Sequence, residues 1–231
     1  MKGVTYSAEI RWFFPRALPD RLVQWFSQEA HLEHEGVRYD RYLLFPRCDT
    51  VGVKLREGLI EIKARVAPPV PFNLGPGLSG KTDQWVKWSF SAAGIKALTA
   101  ELIELGRWIE VGKTRLVQRV SADLGRLQQV AARGEADNGC DIELTEITVA
   151  TSPRSWFSLA FEAFGDAQRT SCTLHETLAW FFERRGPLPD ATLAMRDSLS
   201  YPAWLCRSNS APYGSRQAGL KTIRGKVLDN I

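Results

Sequence analysis

Gly52-Val53-Lys54-Leu55-Arg56-Glu57-Gly58-Leu59-Ile60-Glu61-Ile62-Lys63 is the stretch on which the reading of the fold turns. Two β-rich runs flank the turn pair Glu57-Gly58, so the segment reads as a β-hairpin. Side chains alternate faces along a strand, and residues two apart form a row. Lys54 and Arg56 therefore share one face while Val53 and Leu55 take the other, and Glu61, Lys63 and Arg65 oppose Ile60, Ile62 and Ala64.

The same alternation recurs. Apolar and β-rich runs bounded by turn residues fall at about 4–14, 37–46, 50–56, 59–65, 84–90, 107–120, 139–149 and 155–165, eight strands in all. Several carry charged rows: Ser7, Glu9 and Arg11; Lys113, Arg115 and Arg119; Asp141, Glu143 and Thr145; and Ser158 leading to Glu162. Helical periodicity marks Pro19 to Ala30, Ala92 to Leu105, and Thr173 to Arg185, the last with a capping-box pattern Thr173-x-x-Glu176. Ser121 to Arg133 is a weaker helical candidate, interrupted by Gly125. An α+β architecture follows, an eight-stranded antiparallel closed barrel with helices packed outside, because closure removes exposed edges.

Two assemblies fit these rows. A half-buried sheet would point its charges at water. A barrel turned inside out would cover its apolar face with helices and gather the charges in a lumen, which makes sense only with a polyanion as counter-charge, because confined cations repel and resist desolvation.

Composition bounds the rest. The chain has 231 residues, 44% hydrophobic and 24% charged, enough for a sizeable core, and it reads as one domain over 1–206 with a basic tail over 207–231. Its net charge of +4 does not make nucleic acid the default partner. Cys48, Cys140, Cys172 and Cys206 lack the paired spacing of a zinc knuckle or disulfide framework, and the N-terminus lacks an apolar signal core, so a cytoplasmic protein without a membrane span is expected.

Glu9-Ile10-Arg11-Trp12, the hairpin from Gly52 to Lys63, Lys113-Thr114-Arg115 and Ile142-Glu143-Leu144-Thr145-Glu146-Ile147 together resemble the CYTH, or triphosphate tunnel metalloenzyme, superfamily, over residues 4 to 165. The resemblance implies an eight-stranded tunnel with basic residues for a triphosphate and acidic residues for Mg²⁺ or Mn²⁺. By position it assigns Arg11, Lys54, Arg56, Lys63, Arg115 and Arg119 to phosphate, with Lys87 and Lys113 as further candidates. It assigns Glu9, Glu143 and Glu162 to the metal, Glu143 and Glu162 also to the chemistry; for these two, a salt-bridge role beside the cations is the competing reading. The first strand departs from the family's E-x-E-x-K, reading Ser7, Glu9, Arg11, one carboxylate short. Metal-dependent hydrolysis of inorganic triphosphate or a triphosphate-bearing small molecule is the expected function, with non-catalytic binding of a phosphorylated or polyanionic ligand as the alternative.

Two local motifs point elsewhere. Gly75-Pro76-Gly77-Leu78-Ser79-Gly80-Lys81-Thr82 matches the P-loop pattern, the signature of a nucleotide triphosphatase, but lacks a preceding central strand and a following helix. His31-Leu32-Glu33-His34-Glu35 looks like a metal cluster, yet its spacing fits a solvated helix end better.

Overall fold

The computed structural model describes residues 2–28, 32–91, 107–131, 134 and 136–208. The helix expected at 92–105 and the tail beyond 208 lie outside them. Ten strands are present: β1 (Lys2–Phe14), β2 (Glu33–Leu43), β3 (Val51–Arg56), β4 (Leu59–Arg65), β5 (Val70–Gly75), β6 (Leu78–Ser91), β7 (Trp108–Ser121), β8 (Gln128–Val130), β9 (Gly139–Val149) and β10 (Ser152–Phe164). Three α-helices accompany them among the described residues: α1 (Asp20–Phe26), α2 (Thr170–Arg185) and α3 (Tyr201–Ser208).

Eight strands close a ring in the order β1-β10-β9-β7-β2-β3-β4-β6, and β6 pairs back onto β1. Every pairing is antiparallel. The eight strands read from the sequence are the eight of this barrel. The β3–β4 hairpin turns at Glu57 and Gly58, with φ of 48° and 74°, the left-handed pair that matches the twist of the flanking strands.

Both faces of β1 are buried. Ala8, Ile10 and Trp12 point outward into a core shared with Leu22, Trp25 and Phe26 of α1, Leu174, Leu178 and Phe181 of α2, and Ile142, Leu144, Leu159 and Phe161 of β9 and β10. Each Leu, Ile or Phe among them contributes about 1.5–3 kcal/mol of burial. Ser7, Glu9 and Arg11, on the other face, are buried in the interior of the ring.

At one end the inward row changes character. Phe13, Ile109, Val111, Ile147 and Val149 form a second core with Trp204 and Leu205 of α3, which stoppers the barrel there. Phe13 stacks on Trp204 at 4.7 Å and Tyr42 on Tyr201 at 5.0 Å.

Local structure agrees with the rejection of the P-loop and departs from expectation at residues 121–131, at Thr173 and at Glu33 to Glu35. The P-loop-like stretch is the turn of the β5–β6 hairpin, in which Lys81 pairs with Pro71 and Thr82 with Val70 as strand residues, so no helix opens there. Gly80 serves packing, since a Cβ would lie 2.8 Å from Ile10 and 2.9 Å from Trp12. Residues 121–131 hold a 3-10 turn at Asp123–Gly125 and then β8, because Gly125 takes φ 70° and ends the turn. Helix α2 begins at Thr170, which leaves Thr173 buried inside its first turn rather than capping it. Glu33, His34 and Glu35 belong to β2, not to a helix end. All four cysteines are free, and no helix among the described residues is long and apolar enough to cross a membrane.

Candidate functional site in the barrel lumen

The interior of the ring encloses a cavity of about 430 Å³, within the roughly 300–1,000 Å³ range of small-molecule sites. Its walls carry nine cations, Arg11, Arg38, Lys54, Arg56, Lys63, Lys87, Lys113, Arg115 and Arg119, against five carboxylates, Glu9, Glu61, Asp141, Glu143 and Glu162. Every residue that the resemblance assigned to phosphate, metal or chemistry lines this one cavity. Ser7 lines it too. Sheet alternation explains the convergence: closing the sheet into a ring turns one row of each strand inward, and α1 and α2 cover the outer row of β1, β9 and β10.

On β1, β9 and β10 the charges close a network. Arg11 donates from Nε to Glu9 Oε1 (2.8 Å), from Nη1 to Ser158 Oγ (3.2 Å) and from Nη2 to Glu143 Oε2 (3.1 Å). Arg115 donates to Glu143 Oε1 and to Glu35 of β2. Burial pushes the Glu143 carboxyl up, but Arg115 and Arg11 outweigh it and hold it at about 2. Arg119 makes a bidentate pair with Asp141, at 2.7 and 2.9 Å.

On β3, β4 and β6 cations dominate. Lys54 pairs with Glu61 at 2.6 Å and Arg56 reaches the same carboxylate at 3.4 Å. Lys87 makes no ion pair among the described residues and stands in register opposite Lys63. Like charges directly opposed across strands are destabilising. Lys63 turns toward β1 and β10, donating to Glu9 Oε2 at 2.6 Å and Glu162 Oε1 at 2.9 Å. Burial opposes the charge on Glu162, but Lys63 and Lys87 overcome it and keep the carboxyl well below its ordinary value.

Near the stoppered end, Lys113 donates to Asp40 Oδ2 at 3.0 Å and to the Tyr42 hydroxyl. Its ammonium lies 4.0 Å from the centre of the Tyr201 ring. Burial pushes Lys113 down to about 7, with Lys54 adding repulsion and Asp40 only partly countering. Asp40, Glu35 and the aromatic stopper escaped the sequence reading. The alternation Arg38-x-Asp40-x-Tyr42 was a usable signal for Asp40; a backbone irregularity between Glu35 and Arg38 breaks the row and hid Glu35.

The carboxylates do not assemble as a divalent-metal site. Both oxygens of Glu9 and both of Glu143 accept from Arg or Lys, and one oxygen of Glu162 accepts from Lys63. Among the described residues no three Asp, Glu, His or Cys side chains converge as metal ligands would. Ser7 stands where a further carboxylate would have competed for these cations. The residues present thus fit an ion-paired anion cradle better than a hard-metal centre.

No family model matches the chain, and no curated protein matches it. Among solved structures it is similar to the PH1819 protein from Pyrococcus horikoshii OT3, at 12% identity and TM-score 0.44, covering 87% of this chain and 99% of that one. It is also similar to the PH1012 protein of the same organism, at 11% identity and TM-score 0.39, covering 80% and 93%. A third is the Pct1 RNA triphosphatase of S. pombe, at 10% identity and TM-score 0.35, covering 79% and 80%. The closed ring of eight antiparallel strands with charged rows turned into its lumen is a tunnel barrel, the architecture that the strand rows predict.

Proposed function

We propose that the tunnel binds a phosphorylated small molecule of the triphosphate class. The observation that carries this reading is the surplus of cations over carboxylates on the walls of one cavity inside the barrel. Such a cluster repels itself and resists desolvation unless an anion completes it. Lys87, Lys54 and Arg56 would take phosphate oxygens, and Lys113 and Arg38 would extend the grip toward the stopper. Arg11, Arg115 and Arg119 would hold the walls in shape through their carboxylate partners. Charge-assisted hydrogen bonds of this kind are short and about twice as strong as neutral ones.

A second reading, hydrolysis assisted by Mg²⁺ or Mn²⁺, draws on Glu162. Only one of its two carboxylate oxygens is hydrogen-bonded among the described residues, which leaves the other for a water. In that reading the free Glu162 oxygen would orient the nucleophile, while Glu143, with both oxygens held by Arg11 and Arg115, would keep the cationic wall in place.

Calorimetry with inorganic tripolyphosphate tests the first reading, with phosphate release measured in the same samples under Mg²⁺, Mn²⁺ and excess chelator. Saturable binding that is tighter than for monophosphate and weakens with salt is expected; absence of binding at low ionic strength removes the proposal. Cation-dependent phosphate release that Glu162→Gln suppresses would move the assignment to the hydrolytic reading.

A further inference from the structure

Glu9 on β1 and Glu162 on β10 are opposed in register, so their carboxylates share one spot on the lumen wall. Divalent ions seek such a spot, because two oxygens are already paid for by the fold. It is filled from across the barrel. Lys63, on β4, reaches past β6 and places its Nζ 2.6 Å from Glu9 and 2.9 Å from Glu162. The other Glu9 oxygen is held by Arg11.

We propose that the Lys63 ammonium is a built-in cation occupying the position between Glu9 and Glu162, so that the tunnel takes its anionic ligand without a divalent metal. This inference rests on the anion-binding reading of the tunnel. An ammonium has three N–H donors. Two are committed to Glu9 and Glu162, which leaves one for a phosphate oxygen, so Lys63 links the carboxylates to the ligand as a bridging metal would. Burial works against that charge, yet Glu162 and Glu9 raise Lys63 above its ordinary value, so the ammonium stays protonated throughout the neutral range. A metal entering this position would have to drive Lys63 toward Lys87, its cross-strand neighbour, and add charge to a lumen already rich in it. Removing the ammonium should therefore uncover a latent metal site.

The test uses Mn²⁺ alone as a probe, followed by electron paramagnetic resonance of the free ion, on the full chain and on Lys63→Gln and Lys63→Arg. Lys63→Gln is expected to bind Mn²⁺ at least about tenfold more tightly than wild type, while Lys63→Arg, which keeps the charge, behaves as wild type. In parallel, calorimetry of wild type with tripolyphosphate in excess chelator and in Mg²⁺ should give affinities within about threefold of each other. Wild type binding Mn²⁺ as tightly as Lys63→Gln would overturn the proposal, as would a loss of more than about tenfold in tripolyphosphate affinity on chelation. Should Lys63→Gln fail to fold by circular dichroism, the chelation arm on wild type decides. Absence of tripolyphosphate binding under every condition would count against the anion-binding reading itself, and the Mn²⁺ comparison would still judge Lys63.

Discussion

Two walls of the same lumen handle charge in opposite ways. On β1, β9 and β10, Glu9, Arg11, Glu143 and Ser158 form a closed set in which each Arg11 nitrogen has an acceptor within 3.2 Å. On β3, β4 and β6, Lys54 and Arg56 share the single carboxylate Glu61, Lys87 faces Lys63, and Lys63 is pulled away to the far wall. The first wall is complete without a ligand. The second is left in cation excess, and an anion is what would complete it. Burying a charge is tolerable only where partners satisfy it, so self-sufficient pairs belong to the fold and surplus cations belong to binding.

The sharpest way to break that contrast is Arg11→Ala. Arg11 is 7% exposed and its loss leaves Glu9 and Glu143 with a missing partner in the interior. Breaking a buried pair from one side costs about 3–5 kcal/mol, so urea denaturation should show most of the fold's margin gone. A loss below about 1 kcal/mol, the scale of a surface ion pair, would mean that the two walls do not differ.

Arg56→Ala probes the other wall. Its hold on Glu61 is long, at 3.4 Å, so the denaturation midpoint should barely move. Tripolyphosphate affinity should fall by about 10- to 100-fold, the loss of one charge-assisted hydrogen bond. Lys81→Ala, an exposed strand residue of the β5–β6 hairpin outside the lumen, should leave affinity intact. The reverse pattern would return the phosphate to the P-loop-like stretch.

The smallest effect concerns pH. With Lys113 pushed down to about 7 from 10.5, the folded lumen loses one positive charge as pH rises through neutrality. Tripolyphosphate affinity should fall several-fold between about pH 6 and pH 8, and Lys113→Met should flatten that profile. The sign for folding is opposite. Between about 7 and 10.5 the unfolded chain holds a proton on Lys113 that the folded chain has shed, so this residue's contribution to stability rises with pH across that window. An affinity profile unchanged in Lys113→Met would take Lys113, on β7, out of ligand binding.

Much of this was legible beforehand in particular residues. Val53, Leu55, Ile60 and Ile62 alternating with Lys54, Arg56, Glu61 and Lys63 announced both the hairpin and its charged row. Gly75 to Thr82 carried a false signal that its flanking sequence exposed, because glycines that serve a tight hairpin and a close approach to Ile10 and Trp12 spell the same pattern as a phosphate loop. The stopper at the end of the barrel was not legible at all. Tyr201, Trp204 and Leu205 sit on a short helix far along the chain from Phe13 and Val111, and nothing local says that they meet.

Period two is a property of the extended backbone itself, so the sequence by itself determined which side chains share a row and how many strands carry such rows. On β1, β9 and β10 the face that turned inward was decided by α1 and α2, whose apolar sides had to be covered. Which carboxylates kept an oxygen free was decided only by the closed barrel. That depends on register and reach across several strands: Lys63 finds Glu9, which is 54 residues away, and Glu162, which is 99 away, because ring closure brings β4 within an ammonium's length of β1 and β10.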